Sequence, residues 1–246
     1  MVYGSCCKAR DCKPMKMRRR LTLSAFHLLL VYSTSLWASG TEWQGTEDDW
    51  RGALKAIGTR SFTSAGRPGD PLNIAVACSE SELLRIMAAA KWFPADPITF
   101  RSSLRITVDS VARRPYADAP VSSLFVNGKR QDLAFEQATV NNPSKRHHVR
   151  FWRVDGPDPA HQTVWIGAAT YDTSIGLSHT NGHVTHHIAG DVDTERDKLL
   201  NDIQSVATAT IRWIDDFQPV RQGRNGGGDP FFTDSRLAAV AIEASR

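Results

Sequence analysis

Apolar positions along the chain follow two periods, one helical and one strand-like. Where they recur every three or four residues behind a capping Ser, Thr or Asp, the pattern predicts a helix. Four such segments occur, which are Thr46 to Gly58, Ser79 or Ser81 to Pro94, a stretch through Phe100, Leu104 and Val108, and one from Asp191 or Asp193 through Leu199, Leu200, Ile203 and Val206. The last is expected to be the longest helix.

Runs rich in β-branched and aromatic residues predict the strands. They are Pro71 to Cys78, Ser123 to Val126, Lys129 to Phe135, His147 to Val154, Thr163 to Asp172, His183 to Ile188 and Ala209 to Ile214, with Leu237 to Ile242 as a final strand or short helix. Asn127-Gly128 and Asn181-Gly182 each separate two runs. Asn-Gly favours the two-residue type I′ turn, so both are predicted to close β-hairpins.

Helices and strands alternate early in the chain, whereas hairpins dominate its middle. This order predicts an α+β fold with a largely antiparallel mixed sheet of about five to seven strands and three or four helices packed on one face. No linker rich in Pro, Gly or Ser divides residues 41–246. They are therefore expected to form one domain.

Residues 1–40 have the features of an export signal. The basic segment Lys16 to Arg20 precedes the apolar run Leu21 to Tyr32, and small residues up to Gly40 suit cleavage there. The apolar run is shorter than the roughly 20 residues of a membrane span, and an uncleaved N-terminal anchor is the alternative. Translation could also begin at Met15 or Met17. The body is expected in the periplasm or at the cell envelope.

This leader also accounts for the basic charge of the chain. It carries seven Lys or Arg and one acidic residue, which leaves 23 basic and 25 acidic residues in the remainder. A nucleic-acid-binding surface is therefore not expected. Cys78 is the one cysteine after the leader, so no intrachain disulfide is expected in the mature chain. Its apolar neighbours predict a buried thiol.

Histidines recur in the predicted strands between residues 146 and 188. Neighbouring residues of a strand point to opposite faces. His147 and His148 therefore cannot serve one site, and neither can His186 and His187.

The predicted turn at Asn181-Gly182 sets the register of the second hairpin. It places Leu177 opposite His186, among apolar neighbours that suit a structural histidine, and Gly176 opposite His187. Small residues around Gly176 would leave room for a ligand. His187 is therefore the better functional candidate.

A divalent metal is one expected occupant of this region. His148, His187 and Asp172 could supply three protein ligands and leave the open position of a metal hydrolase, with the same residues as general base or orienting group. No His-x-x-x-His or Cys-x-x-Cys spacing supports this set. The alternative is that these histidines only form hydrogen bonds within a sheet.

A second group of residues suits an anion. Glycine-rich loops can present backbone N–H groups to a phosphate, and such a loop follows the last predicted helix. The expected ligand-binding residues are Arg146, Arg150, Asn225, Gly227, Asp229, Thr233 and Asp234. A loop without a ligand is the alternative, because the Lys-Ser/Thr of a P-loop is absent.

Four blocks of the chain, in order, resemble the LssY C-terminal domain family. They are Arg146 to Trp152, Trp165 to Asp172, Thr185 to Ile188 with Asp193 to Asp197, and Gly227 to Asp234. The resemblance implies a bacterial domain of unknown function, found alone or fused behind membrane domains that include the phosphatidic-acid-phosphatase type. Such fusions place the family near lipid-phosphate chemistry at the envelope. The resemblance assigns no catalytic residue.

Two functions follow as expectations. The first is an exported, envelope-associated domain that binds a lipid-linked phosphate or an inner-membrane protein partner. The second is a metal-assisted hydrolase of a phosphate- or lipid-containing envelope substrate. In the hydrolase, His148 and His187 would be ligands or general base, Asp172 would ligate or orient, and Arg150 would hold the phosphate.

Overall fold

The computed structural model describes residues 46–95, 123–139, 142–154, 163–180, 182 and 184–243. The predicted leader, its cleavage after Gly40, the alternative starts at Met15 and Met17, and the predicted helix from Phe100 to Val108 lie outside these residues. The described helices are α1 (Glu47–Leu54), α2 (Glu80–Ala89) and α3 (Val192–Val206). The described strands are β1 (Arg60–Thr63), β2 (Pro68–Pro71), β3 (Ile74–Ala77), β4 (Phe93–Pro94), β5 (Leu124–Val126), β6 (Lys129–Arg130), β7 (Leu133–Thr139), β8 (Asn142–Val154), β9 (Val164–Leu177), β10 (Val184–Ile188), β11 (Ala209–Ile214), β12 (Gln222–Arg224), β13 (Pro230–Phe232) and β14 (Leu237–Ile242).

Most strands belong to one eight-stranded sheet with the order β11-β14-β3-β9-β8-β7-β4, and β10 pairs with the far end of β9. Among the described strand pairs of this sheet, only β14–β3 is parallel. A four-stranded sheet has the order β2-β1-β5-β6, and β12 pairs with β13. The long strands β8 and β9 lie next to each other within this sheet.

Each face of the large sheet has its own apolar core. On one face, Val76, Phe151 and Trp165 pack with buried residues of α2 and α3. On the other face, Trp152 and Ile166 pack with buried residues of α1 and the four-stranded sheet. Alternate residues of β8 and β9 therefore enter different cores, as the strand period requires.

The helix starts follow the predicted caps. Thr46 and Asp49 form a reciprocal capping box at α1. Ser79 caps α2 by accepting from the Glu82 N–H at 3.2 Å, and Asp191 caps α3 by accepting from two backbone N–H groups. Leu199, Leu200 and Ile203 are buried on α3, as predicted.

Helix α2 ends at Ala89, earlier than the predicted limit at Pro94. Lys91 has a φ of 62°, and the Trp92 N–H donates to the Met87 carbonyl at 2.8 Å. A left-handed residue together with a 6→1 hydrogen bond is the Schellman motif, which commonly ends helices. Pro94 instead belongs to β4 at the sheet edge.

The first predicted hairpin is confirmed at its turn. Asn127 and Gly128 have φ values of 50° and 76°, the positive values that a type I′ turn needs. β5 and β6 pair across this turn, but β6 ends at Arg130 and β7 joins the large sheet. The predicted second strand is therefore divided between two sheets.

The predicted register of the second hairpin is wrong by two residues. His186 pairs with Ile175 and His187 with Ser174, so a longer loop connects β9 to β10. This loop is held by tertiary contacts: the Ser178 Oγ donates to the Gly227 carbonyl at 3.3 Å, and the Thr180 Oγ1 donates to the Gly226 carbonyl at 3.0 Å. A shift of two residues does not move side chains to the other face of the sheet, so His186 and His187 still point to opposite faces.

The predicted fold class is confirmed as a single α+β domain, although the strands outnumber the predicted five to seven. The extra strands come from the Gly- and Pro-containing segments at β1, β2, β12 and β13, which pair as short ladders. The prediction placed the helices on one face, whereas α1 packs on the face of the large sheet opposite α2 and α3, because Trp50 and Leu54 join the core on that side. Among the described residues, no helix is both long and apolar enough to cross a membrane.

Candidate functional site

A cavity of about 500 Å³, with both polar and apolar side chains in its lining, lies between the four-stranded sheet and one face of the large sheet. β1, β2 and β5 form one wall, β8, β9 and β10 form another, and the loop 225–227 closes a third side. Its polar lining includes Asp70, Arg150, Asp172, His186 and Asn225. The cavity therefore brings together residues that are far apart along the chain.

Arg146 organises the charged groups at the sheet wall. Its Nε donates to Asp172 Oδ2 at 3.2 Å, and its Nη1 donates to Glu136 Oε2 at 2.8 Å. Its Nη2 lies 2.5 Å from His186 Nε2. Cross-strand pairing explains this convergence, because Arg146 faces Asp172 directly in the β8–β9 register.

Arg150 lies further along the same face of β8. Its Nη1 is 3.5 Å from Asp70 Oδ2, and both side chains are buried. Asp70 Oδ1 also accepts from the Asn225 side-chain amide at 3.2 Å. The cavity wall is thus a chain of ion pairs and hydrogen bonds that joins β2, β8 and the glycine-rich loop.

Burial changes the protonation of three groups around this wall. It raises the pKa of Asp172 to about 6, although Arg150 and Arg146 act in the opposite direction. It lowers the pKa of His186 to about 4, and the same two arginines lower it further. Burial also holds the pKa of His148 well below its usual value. At neutral pH both histidines are therefore uncharged.

His148 is almost completely buried, and its Nε2 has no hydrogen-bond partner among the described residues. It faces Thr170 in the β8–β9 register, beside the cavity wall. A neutral imidazole with an unsatisfied nitrogen is costly inside a protein. His148 Nε2 is therefore a buried polar atom beside the cavity wall that is left without a hydrogen bond among the described residues.

His187 belongs to a different cluster from its neighbour His186. Its Nδ1 lies 2.7 Å from Asp229 Oδ1, and the same oxygen is 3.7 Å from Nε2 of His179. Asp229 is buried, and its Oδ2 accepts from the Ile188 N–H at 3.2 Å. The room predicted beside Gly176 is occupied by the His187 ring, because a Cβ on Gly176 would lie 2.6 Å from His187 Nε2.

The glycine-rich loop is hydrogen-bonded internally. The N–H groups of Gly227 and Asp229 both donate to Asn225 Oδ1, at 3.0 and 2.9 Å. Asn225 and Gly227 line the cavity. Asp229 instead joins the histidine cluster.

Thr233 and Asp234 lie in a third group, next to the start of α3. The Thr233 Oγ1 donates to Asp193 Oδ1 at 2.9 Å, and Asp234 forms two hydrogen bonds with the buried Arg196 guanidinium. Burial acts to raise the pKa of Asp234, but hydrogen bonds from Arg196 and Arg236 outweigh it and lower the value to about 2. These contacts attach the C-terminal segment to α3.

The opposite face of the sheet carries another histidine–carboxylate pair. His147 Nδ1 lies 2.8 Å from Glu195 Oε2, beside a cavity of about 380 Å³. The strand period separates His147 from His148, as predicted. The sequence did not indicate the pairing with Glu195, which depends on how α3 packs on the sheet.

The structure divides the predicted site residues among these groups. Asp172, Arg146 and Arg150 lie together at the cavity with His148 beside them, whereas His187 and Asp229 form a separate pair at its rim, next to Gly227. Among the described residues, the side chains whose ligand atoms converge within 4.8 Å are His179, His187 and Asp229. Asp70, His179 and His186 are additions to the predicted set. His186 was expected to be a structural histidine, and no local pattern singled out His179 or Asp70 as a site residue.

Comparison with known proteins adds one finding. No curated protein and no solved structure gives a significant match to this chain. The family model described as LssY C-terminus matches residues 54–237, which is more than half of the 246 residues and includes both the cavity and the histidine cluster. The chain therefore belongs to the LssY C-terminal domain family.

Proposed function

We propose that this chain is an exported, envelope-associated domain that binds a phosphate-bearing ligand, such as a lipid-linked phosphate, in the cavity. One observation carries the proposal: the buried Arg150 guanidinium lines the cavity, with the buried Arg146 directly behind the wall. Guanidinium groups suit phosphate because their planar donors match its oxygens in pairs. The export pattern of residues 1–40 supports the envelope as the place of action.

The two arginines differ in their position relative to the cavity. Arg146 is engaged by Glu136 and Asp172 at 2.8 and 3.2 Å. Arg150 pairs with Asp70 at 3.5 Å and lines the cavity. Arg150 is therefore the guanidinium that a phosphate in the cavity would meet.

Asp172 offers a way to accommodate the added negative charge. Its pKa of about 6 lies close to neutral pH. A bound phosphate disfavours the carboxylate form, so binding is accompanied by proton uptake at Asp172. Phosphate esters also titrate in this range, with a second pKa of about 6, so the parent is compared with Asp172→Asn at each pH. The ratio of the parent's phosphate affinity to that of Asp172→Asn should increase as the pH falls from 8 towards 6.

The shape of the site favours a small ligand group over an inner-membrane protein partner. The polar residues line a recess of about 500 Å³, which is the size of a small-molecule site. A protein partner would instead need an extended contact surface. The headgroup of a lipid and a soluble phosphate ester share the chemistry that such a recess recognises.

Calorimetric titration tests the proposal with inorganic phosphate, glycerol 1-phosphate, and phosphatidylcholine vesicles with and without phosphatidic acid. We expect binding to the phosphate probes, and a loss of about 10- to 100-fold in Arg150→Met, because a hydrogen bond to a charged group contributes about 1.5–3 kcal/mol. Binding only to phosphatidic acid vesicles would identify a lipid headgroup. Equal binding of the soluble probes would identify free phosphate esters.

Two variants serve as controls in this titration. Arg153→Met removes an exposed arginine from the other face of β8 and should bind phosphate like the parent. Arg150→Lys keeps the charge without the planar donor pair, so its affinity should be intermediate. If the parent binds none of the probes, or if Arg150→Met binds as Arg153→Met does, the proposed function is wrong.

A metal-assisted hydrolase of a phosphate-containing envelope substrate is the second candidate, and Asp172 favours it. With a pKa of about 6, its carboxyl group could give a proton to the leaving oxygen while water attacks phosphorus and the P–O bond breaks. The proton that the attacking water loses would then go to the Asp172 carboxylate, which restores the acid. Release of p-nitrophenol from p-nitrophenyl phosphate by the same preparations separates hydrolysis from binding. Binding without release supports the first candidate.

A further inference from the structure

A second site lies at the rim of the cavity, where three separate segments meet. His179 comes from the loop after β9, His187 from β10, and Asp229 from the turn before β13. Asp229 Oδ1 is 2.7 Å from His187 Nδ1 and 3.7 Å from His179 Nε2. Two imidazoles and one carboxylate thus converge on a single point.

The backbone around this point holds the three side chains in place. The His179 N–H donates to the Gly227 carbonyl at 2.9 Å, and the Asp229 carboxylate accepts from the Ile188 N–H. Gly228 has a φ of 92°, and a Cβ there would lie 2.7 Å from the His179 Cβ. The close approach of loop and histidine therefore requires a glycine at this position.

The distances are close to those of a metal site. Ligand atoms about 2.0–2.1 Å from a tetrahedral zinc ion lie about 3.3 Å from one another. The His187–Asp229 pair, at 2.7 Å, would need to separate by roughly half an ångström, and the His179–Asp229 pair, at 3.7 Å, would need to approach by a similar amount. His179 is exposed over 62% of its side chain, so its ring can make this adjustment.

We propose that His179, His187 and Asp229 bind one zinc ion. Two imidazole nitrogens and a buried carboxylate favour zinc over magnesium or calcium, which prefer oxygen ligands. Three protein ligands would leave one coordination position for water or substrate. Because protons compete with a metal ion for nitrogen and oxygen ligands in general, zinc affinity should increase with pH.

This inference does not rest on the phosphate proposal, because zinc binding is measured without phosphate. It concerns an adjacent place in the fold, since Gly227 both lines the cavity and accepts the His179 hydrogen bond. If both proposals hold, a Lewis acid lies beside a phosphate-binding recess. That combination would favour the hydrolase candidate.

Zinc titration of the metal-free, full-length protein by calorimetry tests the site. All proteins should lack a histidine tag and carry Cys6→Ser, Cys7→Ser and Cys12→Ser, because the leader thiols could themselves bind zinc. We expect one zinc ion per chain, and at least about a tenfold loss of affinity in His179→Ala, since even outer-shell changes weaken metal sites by 10- to 100-fold. Cobalt in place of zinc should give a visible d–d spectrum that the variant loses.

His147→Ala is the matched control, because it also removes a histidine bonded to a carboxylate but lies on the other face of the sheet. It should bind zinc like the parent. His179→Ala should remain folded because its ring is exposed, and circular dichroism checks this directly. His187→Ala and Asp229→Asn should lose zinc as well. Absence of stoichiometric zinc in the parent, or equal binding by the parent and His179→Ala, would overturn the proposal.

Discussion

Single residues decide the chemistry of this protein through the face on which they lie. His186 contacts Arg146 in the cavity wall, whereas the next residue, His187, bonds to Asp229 at the rim. One strand step separates a histidine with a strongly lowered pKa from a candidate metal ligand.

At the residue scale, Asp172 and His186 should oppose each other in the pH dependence of stability. The folded-state pKa of Asp172 is raised to about 6, so its contribution is present below about pH 3.8 and lost as pH rises through 6. The folded-state pKa of His186 is lowered to about 4, so its contribution is present above about pH 6.5 and lost as pH falls through 4. Between pH 4 and 6 the two slopes have opposite signs.

In Asp172→Asn, the pH dependence of stability that comes from His186 should therefore no longer be offset. On going from pH 6.5 to pH 4, the free energy of unfolding of this variant should fall by up to about 3 kcal/mol more than that of the parent, since each pKa unit of difference contributes about 1.4 kcal/mol. Urea unfolding at a series of pH values measures this. The double variant with His186→Asn should show a smaller slope than Asp172→Asn alone. Parallel curves for the parent and Asp172→Asn would contradict the argument.

At the scale of elements, α3 is joined to the C-terminal segment by Arg196. This residue is 1% exposed, bonds to Asp193, Asp197 and Asp234, and lies 4.7 Å above the Trp213 ring. The network explains why acidic residues at the start of α3 and the later Thr233-Asp234 pair stand close together in the fold. They meet at one buried guanidinium.

Arg196→Met should destabilise the protein by about 1.5–3 kcal/mol, because it removes a buried guanidinium whose hydrogen bonds to carboxylates are charge-assisted. Arg236→Met is the matched control. Arg236 contacts the same Asp234 and the same Trp213 ring, but its side chain is 41% exposed, so its loss should cost only about 0–1 kcal/mol. Urea unfolding of both variants at neutral pH gives the comparison. Equal losses would show that burial does not determine the strength of this network.

At the scale of the whole molecule, one sheet supports two cores. The core with α2 and α3 and the core with α1 share β3, β8 and β9. If these shared strands unfold on one side, the apolar residues of the core on the other side are exposed as well. The domain should therefore unfold as one cooperative unit.

Two substitutions on opposite faces test this cooperativity. Leu72→Ala and Ile203→Ala each truncate a fully buried side chain in a different core, and each should lower stability by about 2–5 kcal/mol. Far-ultraviolet circular dichroism and tryptophan fluorescence should report the same transition for both variants and for the parent. A transition that splits in one variant only would show that the two cores unfold separately.

Local features were predictable because their causes lie within a few residues. Thr46, Ser79 and Asp191 cap helices through contacts no more than three residues away. Asn127-Gly128 turns the chain because both residues accept positive φ. The alternation that separates His147 from His148 also follows from strand geometry alone. The fold class and the family were therefore predictable from the sequence.

Tertiary structure decided the site, because its contacts join distant segments. Asp70 meets Asn225, His187 meets Asp229, and His147 meets Glu195, pairs that no local pattern connects. Hydrogen bonds from the loop after β9 to Gly226 and Gly227 also replaced the predicted two-residue turn and moved the register of β10. The sequence by itself determined which residues could form helices, turns and strand faces. Which charged groups share a cavity depended on long-range packing, which brings together side chains more than a hundred positions apart.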